Sequence, residues 1–434
     1  MSASSISGRV RAWAGVSDAR LLLLVALGLY VLFLVAAPLQ GYDLNGTFNS
    51  LRRITFLSAL YGILVLALNL QWGYAGLFNI GVAGFMAVGV YTMGILSSAP
   101  TSTGAGLGLP LPVGIVGGLL AATLVGVLAS LPALRLRGDY LAIVTLAAGE
   151  IIRLTIRSPV FQEVTVGGVT IGTGGPQGMQ LPENPIRILF YEEPAAFASD
   201  PNAIGKAVFP FFEGFGIEDT VVVGWAYALV LILILGLVYW LLVRVGNSPF
   251  GRVLKAIRED ELVASSLGKD TRWFKVKVFA LGCALMGLGA ILWRLSGGYT
   301  SSSSYMPIQT FYVFIALIIG GAGSNTGSVV GGAVFVALLF EGPLVIRRLI
   351  SNLFEIGQVP RTFFDALGSL AGLDPGPLLA YVVTDVNISA LRLVLLGVVL
   401  VYLIQRRPQG LLGHRKEVAS SVDLSERSGT GGEK

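Results

Sequence analysis

Between Leu21 and Ile404 the sequence returns ten times to apolar runs of 14 to 23 residues. A helix needs about 20 such residues to cross a hydrocarbon core. Lipid also demands that the backbone of a crossing segment bond to itself, which a helix achieves. The runs lie at 21–39, 54–72, 75–96, 112–134, 140–156, 221–243, 274–295, 310–323, 327–346 and 389–404. Only 13% of residues are charged, about half the share of a soluble domain. The chain is therefore expected to be an all-α polytopic integral membrane protein with about ten spans, eight at the fewest. No soluble domain of its own is expected. The two runs flanking "GGAGSNTG" would count as one if they form a re-entrant hairpin.

Charge between the runs sets the expected orientation, because basic connections stay in the cytoplasm. Residues 244–277 carry Arg244, Arg252, Lys255, Arg258, Lys269, Arg272, Lys275 and Lys277, and should be cytoplasmic. The N-terminal arm (1–20), the turn with Arg135 and Arg137, and the tail (406–434) with Arg406, Arg407, Arg415 and Lys416 agree. Residues 158–220 hold eight acids against Arg187 and Lys206 and should lie outside, with a second outer segment at 347–388. These bound a transmembrane domain over 21–405. Arg52–Arg53 and Arg347–Arg348 fit poorly, because they would face outward. Arg9, Arg11 and Arg20 before the first run imitate a signal peptide, but "VAAPLQG" offers no small-residue cleavage site, so an uncleaved span is favoured. The net charge of +5 follows this topology and does not form a nucleic-acid face.

No nucleotide-binding or hydrolytic signature is present: there is no GxxxxGK[ST], no HExxH and no GxSxG in a strand-turn-helix context. One cysteine, Cys283, excludes an internal disulfide, and the single His414 excludes a histidine metal cage. Catalytic residues, metal ligands and a bound cofactor are not expected. Glu150 sits one turn from Arg153 in an apolar run, where an unpaired charge costs about 3 kcal/mol. It either lines a substrate path or pairs with Arg153 or Arg157, and pairing is preferred. The run "LNLQWGYAGLFNIGVAGFMAVGVY" is dense in glycine and holds Asn69, Asn79 and Gly81. It reads as a broken helix facing a cavity or as close packing through small residues. Packing is preferred for the glycines, and Asn79 stays open. "IGGAGSNTGSVVGGAVFVALL" has a similar glycine-rich turn, which hints at an internal repeat. Glu341 and Arg294 lie at run ends and are expected to anchor at the interface.

The stretch "SPFGRVLKAIREDELVASSLG" stands apart: six of the ten residues 252–261 are charged. Pro249 suits a first helical turn and Gly268 the position just past a helix end. Val253, Ile257, Ala264 and Leu267 would share one face of a single helix. Such a helix could lie on anionic lipid, connect two spans, or dock a partner protein. The acidic "EDE" argues against lipid, and the regularity argues against a plain connector, so docking is favoured.

Five strings in order, "LRGDYLAIVTLAAGEIIRL", "TGGPQGM", "SPFGRVLKAIREDELVASSLG", "IGGAGSNTGSVVGGA" and "RPQGLLG", resemble the permeases of branched-chain amino-acid ABC importers, M-type, from about Asn69 to Gly413. The wider family also serves urea and simple sugars. The resemblance implies a permease without catalytic residues, in a prokaryotic plasma (inner) membrane with both termini cytoplasmic. It implies as partners a homologous H-type permease, two cytoplasmic ATPases that hold the ATP, an extracytoplasmic substrate-binding protein and membrane lipid. It makes 248–268 the place where the ATPases dock, landing on Arg258, Glu259, Asp260, Glu261 and Gly268. With Arg252 and Lys255 of the same charged stretch these are the candidate coupling residues of the 244–277 segment. Asn69, Asn79, Gly81, Glu150 and Gly175 are the candidate substrate-path residues. Residues 182–215 and 347–389 are extra relative to the usual pattern, which leaves the outer face open. The rival reading is an ion-coupled secondary transporter, which would need titratable groups along its path; only Glu150 is a candidate.

Overall fold

The computed structural model describes residues 18–412 except 101, 134–137, 193–199, 354–359, 361, 369–375, 383–384 and 408. The N-terminal arm to residue 17, the basic turn at Arg135 and Arg137, and the tail from 413 lie outside the described residues. The helices are α1 (Asp18–Leu39), α2 (Leu44–Leu68), α3 (Val82–Ser97), α4 (Leu111–Ala133), α5 (Gly138–Arg157), α6 (Ala203–Glu213) and α7 (Asp219–Asn247). They continue as α8 (Pro249–Glu259), α9 (Glu261–Ser266), α10 (Thr271–Leu295), α11 (Pro307–Gly320), α12 (Asn325–Val336) and α13 (Gly342–Leu353). Short α14 (Phe363–Gly368) and α15 (Gly376–Val382) precede α16 (Asp385–Arg406). Two small antiparallel pairs, β1 (Val164–Val166) with β2 (Val169–Ile171) and β3 (Met179–Gln180) with β4 (Tyr299–Thr300), decorate the loop end of the bundle.

Each of the ten apolar runs contains a helix, although 76–81 and 321–323 within two of them are not helical. Among the described residues, six helical stretches combine the length and hydropathy of a full crossing. Three others, Val82–Ser97, Pro307–Gly320 and Arg392–Leu403, are apolar but shorter. Helix α5 is long enough, yet carries Asp139, Glu150, Arg153 and Arg157. The difference from ten uniform spans has a physical cause: α3 and α11 begin or end at breaks inside the bundle, and neighbours cover their free ends.

Helix α2 is the central post, buried from Ala59 to Leu68, and it packs against α7, α10, α11 and α12. Helices α3, α4 and α10 cross where glycines meet. A Cβ on Gly89 would stand 2.7 Å from Gly287 Cα, and one on Gly118 would stand 2.5 Å from the Gly89 carbonyl. Backbones this close are how helices attract one another in lipid, where burial of apolar surface gives no drive. Gly89→Ala is therefore expected to lower stability by about 1–3 kcal/mol, the usual cost of overpacking, read as an earlier thermal transition of the purified protein. By contrast Gly28, Gly236 and Gly397 meet nothing within 4 Å.

Glu341 faces into the bundle. It is only 4% exposed and takes a hydrogen bond from Arg53 Nε at 2.6 Å, because a π-helical turn at Ala337–Glu341 rotates it toward α2. This ion pair accounts for one of the misplaced arginines. Arg348 rests over the Tyr42 ring at 4.1 Å, which accounts for another.

Candidate functional site

Helix α2 does not end at Leu68. It widens into a π-helical turn, Asn69–Tyr74, and the chain then runs without helix from Leu77 to Gly81 before α3 starts. Such a break frees backbone groups that lipid cannot satisfy. Side chains satisfy them instead. Asn79 Oδ1 accepts from Gly81 N–H at 2.9 Å, Thr145 Oγ1 from Ile80 N–H at 3.0 Å, and Thr310 Oγ1 from Ala83 N–H at 3.0 Å. Asn79 Nδ2 donates to Gln71 Oε1 at 2.8 Å, and Gln71 Nε2 donates to the Phe279 carbonyl at 2.9 Å.

A second break, residues 321–324 between α11 and α12, lies against the first. Asn69 joins them: its Oδ1 accepts from Gly323 N–H at 2.7 Å and its Nδ2 donates to Asn325 Oδ1 at 3.0 Å. Asn69, Gln71 and Asn79 are all 0% exposed. A buried polar network of this kind stabilises one arrangement only while every member is paired.

The charged stretch is two helices, not one. Ser248 Oγ accepts from Gly251 N–H at 3.2 Å and caps α8. Asp260 leaves the helical conformation (φ −155°, ψ 108°), and its Oδ1 accepts from Leu262 and Val263 N–H at 2.9 and 3.1 Å, capping α9. Asp270 caps α10 in the same way. Pro249 opens α8, and Gly268, with φ +72°, closes α9. The bend at Asp260 resets the 3.6-residue period, so the expected common face fails. Gly251, Leu254, Ile257 and Ala264 are buried and Val253 is half-buried, whereas Leu267 is 73% exposed.

This helix pair touches the first break directly. Arg258 Nη1 donates to the Gly73 carbonyl, inside the π-helical turn, at 2.5 Å. A Cβ on Gly76 would lie 3.2 Å from Arg258 Cγ, and one on Gly323 3.1 Å from Arg258 Nη1. The guanidinium thus sits between both breaks. Lys255 Nζ lies 5.6 Å from the Tyr74 ring centre, and Phe250 stacks on Phe274. Glu261 and Lys275 pair at 2.5 Å, tying α9 to α10.

Of the candidate coupling residues, Arg258 is exposed but reaches the Gly73 carbonyl, Asp260 is a cap, and Glu261 braces α9. Arg252 and Glu259 are exposed, Lys255 is half-buried, and Gly268 meets nothing within 4 Å. Among the charged and polar residues exposed on the pair stand three large apolar ones, Leu262 (78%), Val263 and Leu267, and Trp273 in the first turn of α10 is exposed too. The sequence reading set Leu267 on the apolar seam and missed Leu262, Val263 and Trp273, although apolar residues in so polar a stretch were the available signal. It also missed Gln71, Gly73 and Tyr74.

The candidate path residues do not converge. Asn69, Asn79 and Gly81 share the network at the breaks, and a Cβ on Gly81 would meet the Thr145 carbonyl at 2.4 Å. Glu150 takes a bidentate pair from Arg153 (Nε to Oε2 2.8 Å, Nη2 to Oε1 2.5 Å), the preferred partner. Gly175 lies in the loop segment against Gln162 and belongs to neither group.

Residues 50–342 match the model of a family described as branched-chain amino acid transport system / permease component. Over 283 residues the chain is 33% identical to the high-affinity branched-chain amino acid transport system permease protein LivM of Escherichia coli, covering 65% of this chain and 61% of that protein. It is 32% identical to the Salmonella typhimurium protein of the same name over the same shares. A probable branched-chain amino acid transport permease protein LivM from Methanocaldococcus jannaschii is 27% identical over 305 residues, 64% of this chain and 76% of that one. The chain spans about three-fifths of the length of the first two relatives (61%). No solved structure matches it. The family match ends at 342, short of "RPQGLLG", but it contains both breaks, the network between them and the charged helix pair. With more than half of its residues inside that match, the chain belongs to the branched-chain amino acid transport permease family.

Proposed function

We propose that this chain is one permease subunit of an ATP-driven importer for branched-chain or related small amino acids. It would work beside a second, homologous permease, with two ATPases on the cytoplasmic side and a substrate-binding protein on the outer side. The chain itself would bind no cofactor, the ATP being held by the ATPases. Both termini and the 244–277 segment would be cytoplasmic, and 158–220 and 347–388 extracytoplasmic, in a plasma membrane. The observation that carries this reading is the Arg258 bond to the Gly73 carbonyl. It joins a surface fit for docking to two broken helices in the bundle. Closure of the ATPases would push on Leu262, Val263, Leu267 and Trp273. Arg258 would pass the displacement to the turn at Asn69–Tyr74 and to 321–324, a rigid-element shift of the usual kind.

The reconstituted complex should take up leucine, isoleucine or valine only with ATP and with both ATPases present. Uptake of urea or a sugar but of no amino acid would redirect the substrate assignment. Uptake by this chain alone, without ATPases, would sink the reading.

The orientation has its own test, and buried Cys283 gives it a silent background. Leu262→Cys should react with a membrane-impermeant maleimide only after cells are opened. Val169→Cys, on the exposed hairpin, should react in intact cells. The reverse pattern would invert the topology.

A further inference from the structure

The end of the bundle opposite the charged helix pair holds a cavity of about 570 Å³ between α2, the first turns of α7 and residues 184–191. Its lining brings three cations, Arg52, Arg53 and Arg187, together with an apolar wall that includes Val223, Tyr227 and Phe340. Arg53 has its charge met by Glu341. Arg52 does not: its Nε and Nη2 donate to the neutral Asn49 Oδ1 at 3.0 and 2.7 Å. Among the described residues it enters no ion pair. Gly224 on α7 makes room for it, since a Cβ there would lie 2.5 Å from Arg52 Cδ. Arg187 rests over the Tyr191 ring at 5.2 Å.

Depth decides what such a cavity can hold. With its π-helical turn α2 spans 31 residues, about 46 Å at ~1.5 Å per residue, against a hydrocarbon core of about 30 Å. Arg52 stands eight residues, about 12 Å, from Leu44, and so falls near the boundary of the hydrocarbon rather than at its centre. A guanidinium fork matches phosphate oxygens two at a time. A phosphate alone would satisfy Arg52 but leave the apolar wall in water.

We propose that this cavity binds the phosphate-bearing headgroup of an anionic phospholipid, with Arg52 as its principal donor and the apolar wall covered by the start of an acyl chain. The proposal rests on the chain spanning a membrane and not on its substrate, so failure of the transport assay leaves it standing.

The test is lipid retention by the purified full-length chain, read by native mass spectrometry after exchange into phosphatidylglycerol, phosphatidylcholine or inorganic phosphate. Wild type should keep phosphatidylglycerol in preference to phosphatidylcholine. Arg52→Gln should lower phosphatidylglycerol retention about tenfold, the loss of one charged hydrogen bond, and Arg52→Lys should keep most of it. Thr220→Trp, which fills the cavity from its lining and leaves all three arginines in place, should lower retention as well and guards against a folding defect in the first variant. Equal retention by Arg52→Gln and wild type would overturn the site. Displacement of the lipid by inorganic phosphate at matching concentration would overturn the lipid assignment in favour of a soluble anion.

Discussion

A complex carrying Arg258→Ala should still assemble and hydrolyse ATP, yet import substrate at roughly a tenth to a hundredth of the wild-type rate. The estimate follows from one charged hydrogen bond, about 1.5–3 kcal/mol, at about 1.4 kcal/mol per factor of ten. The bond is a direct hydrogen bond from α8 to the π-helical turn. Its loss leaves both helices folded, since Ser248, Asp260 and Gly268 bound them independently. The alanine removes the strut and spares the scaffold. The control is Glu259→Gln: Glu259 is well exposed and accepts from Arg258 Nη2, not from the Nη1 that reaches Gly73. Exposed pairs of that kind contribute at most about 1 kcal/mol, so uptake should change by no more than about twofold. Equal uptake by Arg258→Ala and wild type would remove Arg258 from the coupling route. Loss of ATP hydrolysis along with uptake would point to failed docking instead.

How much of this was legible beforehand can be judged residue by residue. The ten apolar runs became ten helical regions, because lipid leaves a spanning backbone few alternatives. Pro249 and Gly268 bounded the charged stretch as their conformational preferences require. Asp260 was not legible as a cap. Inside "REDEL" it reads as one more solvated charge, and only the backbone turn at that residue shows its carboxylate holding α9. Arg258 was counted among outward charges for the same reason. Its neighbour is a carbonyl freed by a π-helical turn at Gly73, and no residue pattern announces such a turn. Leu267 was read by the rule that apolar residues go inside, which holds for a core and fails at a docking face, and Leu262 and Val263 were passed over. Asn79, left open between packing and path, is a local cap on Gly81, a role asparagine takes wherever a backbone N–H is free two residues on.

The network at the breaks makes a sharper prediction, because its bonds are unequally shared. Asn69→Ala would orphan two buried groups, the Gly323 N–H and Asn325 Oδ1. Asn325→Ala would orphan only Asn69 Nδ2 and leave the Gly323–Asn69 bond in place. Each unsatisfied buried group costs about 1–3 kcal/mol, so Asn69→Ala should cost about twice as much as Asn325→Ala. The double variant should cost less than Asn69→Ala alone, since removing Asn325 then deletes a group already unpaired and leaves only the Gly323 N–H without its partner. That shortfall from additivity, of order 1 kcal/mol, is what a double-mutant cycle reads between residues in contact. Thermal unfolding of the four purified forms in one detergent measures it. Strict additivity would mean that the two asparagines do not hold the breaks together. A larger cost for Asn325→Ala would mean that the bond to Gly323 is not the anchor. If the ordering holds, Asn69→Ala should also depress coupled uptake more than Asn325→Ala. Both breaks move with Arg258 only while Asn69 ties one to the other.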